Sequence, residues 1–325
     1  MEVHFRNGVE GVEGATVESV TFPNDSIGEF VWSGDEQRGS RFEARGEIQV
    51  LPGKRMVLWL SERATGTLSA IRLSAEGLMS AVTATDIGLK DEDLYTLSTW
   101  MPRKIILRNV VVTNEGVGHF SRAKSLRFLS LKGCPVTNVV SDAIGQLTGL
   151  NRLYFTNTQV SELRPLHQLS ELHTLGLANA PVSDRDAEAL RSLGGLKRLT
   201  LSGTLVTSAA LHALAELRAL EWLLLDDTKV DDENIEILAG LPSLQTLDLS
   251  GTAISTAAIG KLLPSPSLSQ LRFNGTAVDD EVAEVLAVMK TLKEIDFEGS
   301  SVSETAENLI RRALPEAIIN GVRRS

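Results

Sequence analysis

The chain has 325 residues, of which 42% are apolar, so it is long enough to bury an extended core. No apolar run approaches the roughly 18 residues that span a bilayer, so the sequence predicts a soluble protein without a membrane partner. The net charge of −10 at pH 7 argues against nucleic acid as a partner and favours a basic protein, because phosphate binding needs concentrated Lys and Arg. The single cysteine, Cys134, excludes an internal disulfide and a multi-cysteine zinc site.

Residues 1–78 do not repeat. They begin with Met-Glu-Val-His-Phe-Arg, which lacks the basic flank and apolar stretch of a secretory signal, so we expect a cytoplasmic protein. Apolar residues at 29–32 predict a strand, and alternation on both sides of Pro52-Gly53, over residues 46–60, predicts a hairpin. We interpret this segment as a small β-rich cap for the first repeat; a separate ligand-binding module is the alternative.

One phrase recurs nine times in the rest of the chain, most clearly as Leu-Gln-Thr-Leu-Asp-Leu-Ser-Gly-Thr-Ala-Ile-Ser at residues 244–255. The third apolar residue of each phrase is its anchor, and anchors follow one another by 24 residues, with one interval of 22. A weaker tenth copy begins at Met79. Such fixed-period similarity predicts a solenoid, whose units bury their apolar faces only by stacking. The anchors are Leu107, Leu131, Phe155, Leu177, Leu201, Leu225, Leu249, Phe273 and Phe297.

Each phrase predicts a short strand followed by a helix. Side chains two apart, such as Leu223 and Leu225, share the buried face of a strand, whereas Leu224 points the other way. Three residues after each anchor comes a small-residue column, in which Cys134 is a structural residue. Six residues after each anchor comes a helix N-cap residue, so a helix is expected at each, shortened by Pro165 in the 22-residue unit. These caps are Thr113, Thr137, Ser161, Ser183, Thr207, Asp231, Ser255, Asp279 and Ser303.

The pattern LxxLxLxxT followed by a helix-forming half resembles the leucine-rich repeat family, nearest to its bacterial and ribonuclease-inhibitor-like subclasses. This resemblance covers residues 79 to about 320 and implies an α/β solenoid, a horseshoe with a parallel concave sheet and convex helices. It divides the chain into a β-rich N-terminal capping domain, residues 1–78, and a repeat domain, residues 79–325. The repeat domain has about ten repeats and a C-terminal cap, a closing helix and edge strand near residues 311–320. Many members place Asn in the column where this chain has Thr, so a full asparagine ladder is not expected.

The outward residues of the predicted strands form the candidate binding surface. Its early repeats are basic and aromatic, its late repeats are acidic, and small residues such as Thr174 and Ala178 separate the two ends. Exposed aromatic residues on a strand face are enriched at protein-binding hot spots, although a solvated polar face needs no partner. The candidate protein-binding residues are Lys104, Arg108, Phe128, Lys132, Arg152, Tyr154, Trp222, Leu224, Asp226, Asp248, Arg272, Glu294 and Asp296.

Motifs for catalysis or cofactor binding are missing from the sequence. It has no phosphate-binding loop, nucleophile elbow, zinc helix or calcium loop, so we expect no enzyme activity and no cofactor. His167 and His173 share a repeat boundary but lie in different elements, which makes a metal pair a minor alternative.

These patterns favour a non-enzymatic scaffold that binds a protein or peptide along its concave strands. Two alternatives remain open: an adaptor or effector subunit of a ubiquitin-ligase-type assembly, and a structural, self-associating solenoid. The adaptor is disfavoured because residues 1–78 lack a helical F-box pattern. An enzyme within residues 1–78 is disfavoured because no nucleophile and base pair is visible there.

Overall fold

The computed structural model describes residues 18–33, 41–50, 53–75 and 77–321. The strands are β1 (Ser19–Thr21), β2 (Gly28–Trp32), β3 (Phe42–Glu43), β4 (Glu47–Gln49), β5 (Met56–Leu60), β6 (Arg72–Leu73), β7 (Met79–Thr85), β8 (Lys104–Arg108), β9 (Phe128–Lys132), β10 (Arg152–Tyr154), β11 (Thr174–Gly176), β12 (Arg198–Thr200), β13 (Trp222–Leu224), β14 (Thr246–Asp248), β15 (Gln270–Arg272), β16 (Glu294–Asp296) and β17 (Ile318–Asn320). The α-helices are α1 (Asp91–Thr99), α2 (Asn114–Gly118), α3 (Ser141–Gly145), α4 (Asp184–Ala187), α5 (Leu211–Leu214), α6 (Glu236–Ala239), α7 (Thr256–Lys261), α8 (Val282–Val288) and α9 (Glu304–Ala313).

Strands β7 to β17 form one continuous parallel sheet, in which each strand pairs with the strand of the next repeat. Leucines at equivalent positions lie side by side; Leu199, Leu223 and Leu247 are successive partners. A parallel connection needs a crossover, and here the helical half of each repeat supplies it. The predicted α/β solenoid with a parallel concave sheet and convex helices is confirmed.

Part of the N-terminal segment, strands β2, β3 and β5, joins this sheet, whereas β1, β4 and β6 form a separate sheet. Strand β5 pairs in parallel with β7, and β2 then pairs antiparallel with β5, which confirms the strand predicted at residues 29–32. The predicted hairpin is wrong, because β4 pairs with β1 in a separate three-stranded sheet while β5 joins the large sheet. Pro52, in the predicted turn, lies outside the described residues. The division of the chain at residue 78 stays a prediction.

All nine anchors are fully buried or nearly so, and the predicted strand alternation is confirmed. Leu223 and Leu225 have no exposed surface, whereas Leu224 is only half-buried on the opposite face. One apolar cluster runs from Val20 in the N-terminal segment to Ile319 in the last strand. Burying a leucine stabilises the fold by roughly 1.5–3 kcal/mol, so this unbroken core holds the repeats together.

The small-residue column closes the turn of six repeats by a local hydrogen bond. Thr158 Oγ1 donates to the carbonyl oxygen of the anchor Phe155, at 2.7 Å. Five later members of the column make the same bond, so hydroxyl groups satisfy buried carbonyls in these repeats without an asparagine ladder. The donors are Thr158, Thr204, Thr228, Thr252, Thr276 and Ser300.

The N-cap column works partly as predicted. Thr113, Thr207, Ser255 and Ser303 accept hydrogen bonds from backbone N–H groups of their own helical segments, and Ser183 forms a capping box with Asp186. The expectation of a helix beginning at every cap is wrong, because the crossovers are short and partly 3₁₀-helical. Asp231 precedes an α-helix that begins only at Glu236, and Ser161 is followed by a 3₁₀ helix, Arg164–Gln168, with Pro165 in its first turn.

The caps have a second role that the sequence analysis missed. In several repeats the residue after a cap bonds to the cap of the next repeat. The carboxylate of Asp184 accepts from the backbone N–H and hydroxyl of Thr207, and that of Asp280 accepts likewise from Ser303. These bonds tie neighbouring crossovers together, so the polar ladder of this solenoid lies at the helix N-termini.

The helix and edge strand predicted near residues 311–320 are present, and their role as a C-terminal cap stays a prediction. Helix α9 packs on α8, and β17 adds a last parallel strand beside β16. The Arg311 guanidinium donates to Glu307 and to the backbone oxygen of Ile319, which holds the helix against that strand. The predicted role of Arg323 and Arg324 in discouraging further stacking lies outside the described residues.

Candidate functional site on the concave wall

Three parallel rows of residues, here called the concave wall, run across β8–β16. The first and second rows hold the outward residues three positions and one position before each anchor, and the third row holds the residue directly after it. All thirteen candidate residues lie in these rows; whether they bind a partner stays a prediction. The first row is Lys104, Phe128, Arg152, Thr174, Arg198, Trp222, Thr246, Gln270 and Glu294. The second row is Ile106, Ser130, Tyr154, Gly176, Thr200, Leu224, Asp248, Arg272 and Asp296. The third row is Arg108, Lys132, Thr156, Ala178, Ser202, Asp226, Ser250, Asn274 and Glu298.

The wall divides into two halves of opposite charge. The part built on β8–β12, the basic half, carries cations and no carboxylate: Lys104, Arg108, Lys132, Arg152 and Arg198. The part built on β13–β16, the acidic half, carries one arginine, Arg272, and five carboxylates: Asp226, Asp248, Glu294, Asp296 and Glu298. The predicted polarity of the surface is therefore a property of the folded wall.

Aromatic rings pack along the basic half. The Lys104 ammonium lies 5.0 Å from the centre of the Phe128 ring, and that ring lies 5.5 Å from the ring of Tyr154. Tyr154 leans over Gly176 on the next strand, where an added Cβ would stand 2.5 Å from its Cδ1 atom. Gly176 therefore gives the tyrosine ring its place on the wall.

Arg198 and Trp222 meet at the junction of the two halves. The guanidinium carbon of Arg198 lies 4.7 Å from the centre of the Trp222 ring, and Trp222 remains 38% exposed. The sequence analysis missed Arg198 and assigned only small residues to this region. The signal was present, because Arg198 precedes its anchor Leu201 by the same three residues that separate Arg152 from Phe155.

The one arginine of the acidic half is paired with two of its carboxylates. Arg272 lies 2.9 Å from Glu294 and 4.0 Å from Asp248, while the Gln270 amide donates to Glu294. Burial raises the pKa of the Asp248 carboxyl, and the neighbouring Asp226 adds to that rise. The hydrogen bond to Glu294 raises the pKa of Arg272. Arg272 thus has internal partners, which the sequence could not reveal.

A pocket of about 340 Å³ opens where the first row passes from β10 to β12. Its lining is polar, with three cationic side chains and one carboxylate, and it includes side chains from the residue that precedes each strand. The lining residues are Asn151, Arg152, His173, Thr174, Lys197, Arg198 and Glu221.

Outside the wall, the candidate reactive groups have structural surroundings. Burial raises the pKa of the Cys134 thiol to about 11, so it is protonated at neutral pH and a poor nucleophile. His167 lies in a 3₁₀ helix, where Nδ1 is 2.9 Å from the Arg164 carbonyl oxygen, whereas His173 lines the wall pocket. Across the described ranges, no group of three or more His, Cys, Asp or Glu residues could hold a metal ion.

The family model of the leucine-rich repeat region matches residues 107–305, more than half of the chain, so the chain belongs to the leucine-rich repeat family. Its fold is similar to that of an internalin from Listeria monocytogenes, with 16% identity over 83% of this chain and 86% of that one, and a TM-score of 0.56. Internalin C2 of the same species is 27% identical over 62% of this chain and 81% of that one, with a TM-score of 0.51. These likenesses agree with the bacterial-type repeat that the sequence indicates. A comparison with curated proteins gave no match.

In the part of the chain that the structure describes, no helix is long and apolar enough to cross a membrane.

Proposed function

We propose that this chain is a non-enzymatic scaffold that binds another protein or a peptide along its concave wall. The observation that carries the proposal is the exposed cluster at the centre of the wall, where Arg198 stacks on Trp222 beside the small Thr200. Large rings held on an open surface are typical anchors of protein interfaces, because they bury much area with few rotatable bonds.

The repeat sheet supports this role energetically. Its strands are fixed by a continuous core, so the wall is preorganised and binding would cost little ordering entropy on this side of the interface. The wall also offers both charge signs in separate places, which favours a partner docked in one orientation. An enzymatic role has less support, because the sequence contains no nucleophile elbow, phosphate-binding loop or zinc helix.

The proposal is tested by partner capture from a native lysate of the source cell, comparing the intact chain with wall variants. Tyr154→Ala, Trp222→Ala and Arg152→Glu should each weaken capture, because truncating a hot-spot aromatic costs about 2 kcal/mol or more of binding free energy. Tyr95→Ala is the matched control, since Tyr95 is an exposed aromatic residue on α1 and lies outside the wall.

Thermal unfolding of each variant separates binding from folding. Retained stability with lost capture supports the wall as the binding surface. If Trp222→Ala unfolds the chain while partner affinity persists, Trp222 is a packing residue and the proposal loses its main support. Capture that no wall variant affects would favour the structural, self-associating solenoid.

We propose a cytoplasmic location for this scaffold, supported by a buried, protonated Cys134 thiol that needs no oxidising compartment. Fractionation of the source cell with an antibody against the chain is the test, and recovery from the medium or cell surface would contradict it.

A further inference from the structure

The pocket in the first row of the wall lies between two arginines. Arg152 on β10 and Arg198 on β12 are separated by one strand, whose residue at this level is Thr174. Adjacent strands lie about 4.8 Å apart, so the two arginine backbones are roughly 10 Å apart. Thr174 is small, and it leaves an open space of about 340 Å³ between the two long side chains.

The charges at the rim of this pocket do not cancel. Lys197 and Glu221 form an ion pair with each other at 3.1 Å, so they add no net charge. Within the described ranges no ion pair involves Arg152 or Arg198, and both side chains are exposed. The pocket therefore presents two guanidinium groups whose N–H donors are open to an incoming anion.

The geometry of these groups fits an anion with paired oxygens, such as a carboxylate. A guanidinium group is a planar fork that matches the two oxygens of a carboxylate. Stacking on Trp222 holds the plane of Arg198 in place, which reduces the ordering that binding would require. Two such forks on either side of a small threonine suit a carboxylate carried on a flexible side chain.

The surroundings of the pocket indicate that the ligand carries more than one carboxylate. Lys104, Arg108 and Lys132 continue the positive charge along the basic half, whose wall rows contain no acidic residue. On the basis of the proposed function, we propose that the basic half binds an acidic peptide segment, with one carboxylate seated between Arg152 and Arg198. The partner thus has the opposite charge to the basic protein that the overall net charge favours.

A second copy of this chain fits the basic half less well than a separate acidic peptide. The acidic half could in principle dock there, but Arg272 already pairs with Glu294 and approaches Asp248. Docking would have to break or desolvate these contacts, and desolvating a paired charge is costly. A flexible acidic peptide carries no such cost.

The test is isothermal titration calorimetry of the intact chain with two unlabelled synthetic peptides, one of alternating Glu and Ser and one of alternating Lys and Ser. The acidic peptide should bind, and any binding of the basic peptide to the acidic half should be unchanged by the double variant of the basic half. The double variant Arg152→Gln, Arg198→Gln should weaken acidic-peptide binding by about tenfold or more, because it removes two charge-assisted contacts. Added salt should weaken binding to the wild-type chain, as expected for exposed charges.

Arg218→Gln is the matched control for the single variants Arg152→Gln and Arg198→Gln, because Arg218 is an exposed arginine outside the wall and each substitution removes one positive charge. It should leave the affinity unchanged. Thermal unfolding should show that all variants remain folded, since neither wall arginine has a partner whose loss would expose a buried group.

Three results would overturn the inference: no binding of the acidic peptide, binding that the double variant leaves intact, or an equal loss in Arg218→Gln. Light scattering over a range of protein concentrations adds another criterion, because a dimer that the double variant dissociates would assign the pocket to a second copy. If capture from the lysate depends on Tyr154 and Trp222 but the acidic peptide does not bind, the proposed function stands and only this inference fails.

Discussion

The basic and acidic halves of the concave wall are built on the same repeat but differ in how their charges are satisfied. Arg272 in the acidic half lies between Glu294 and Asp248, partly buried. Arg152 in the basic half also points outward from its strand, in the first row and not the second, and no ion pair within the described residues involves it. The difference teaches that a wall residue can serve the fold or remain free for a ligand, and that charge alone does not tell which.

The two halves also have different neighbours, and this difference predicts the largest change in stability. The basic half adjoins the N-terminal segment, whose β5 covers the edge of β7 and whose apolar residues join the common core. Removing residues 1–77 should expose that apolar edge and lower stability or cause aggregation without abolishing the repeats. Circular dichroism with light scattering is the measurement. A truncated chain as soluble and stable as the intact one would show an independent domain.

The second largest change in stability is expected from substitutions in the core beneath both halves. Leu223→Ala and Leu225→Ala should each lower the free energy of unfolding by roughly 2–5 kcal/mol, because both side chains are fully buried. Leu224→Ala, on the wall side of the same strand, should cost far less. Denaturant unfolding of the three variants is the measurement. Equal losses of unfolding free energy at Leu223 and Leu224 would contradict the separation of core from wall.

A direct comparison of the halves comes from their arginines. Arg272→Gln should lower the free energy of unfolding by about 1 kcal/mol, because it leaves Glu294 and Asp248 without their cation. Arg152→Gln should change it by less than about 0.5 kcal/mol, as is usual for exposed positions without partners. Thermal unfolding at low and moderate salt is the measurement. Similar losses in both variants would mean that the two halves do not differ in this way.

The smallest expected change is in the pH dependence of stability, and it comes from Asp248. Burial raises its pKa in the folded chain, so the folded state binds this proton more tightly than the unfolded state does. The contribution of Asp248 to stability is therefore greatest at low pH and falls as pH rises through the raised pKa. Asp248→Asn should match the wild-type chain near about pH 3 and exceed it in stability near about pH 7. An advantage for the variant that shrinks as pH rises would show that the carboxylate is stabilised in place.

The sequence determined the features that depend on period and on local geometry. The 24-residue register, the buried anchors and the outward rows follow from strand alternation, since neighbouring side chains of a strand must face opposite ways. For this reason all thirteen candidate wall residues could be placed on one face, and Arg198 could have been found by the same count. The cap column is equally local in the repeats where it works as predicted, because Thr113, Thr207, Ser255 and Ser303 each accept from their own helical turn.

Tertiary structure alone decided which groups meet across strands and crossovers. The strands on either side of Pro52-Gly53 pair with different sheets, because strand pairing is set by distant partners and the apolar edge of β7 competes for β5. The pairing of Arg272, the stacking of Arg198 on Trp222 and the pocket above Thr174 all depend on residues a full repeat away. Side-chain reach across stacked repeats, which no sequence period encodes, decides that Arg272 is paired within the wall whereas Arg152 and Arg198 have no ion pair within the described residues.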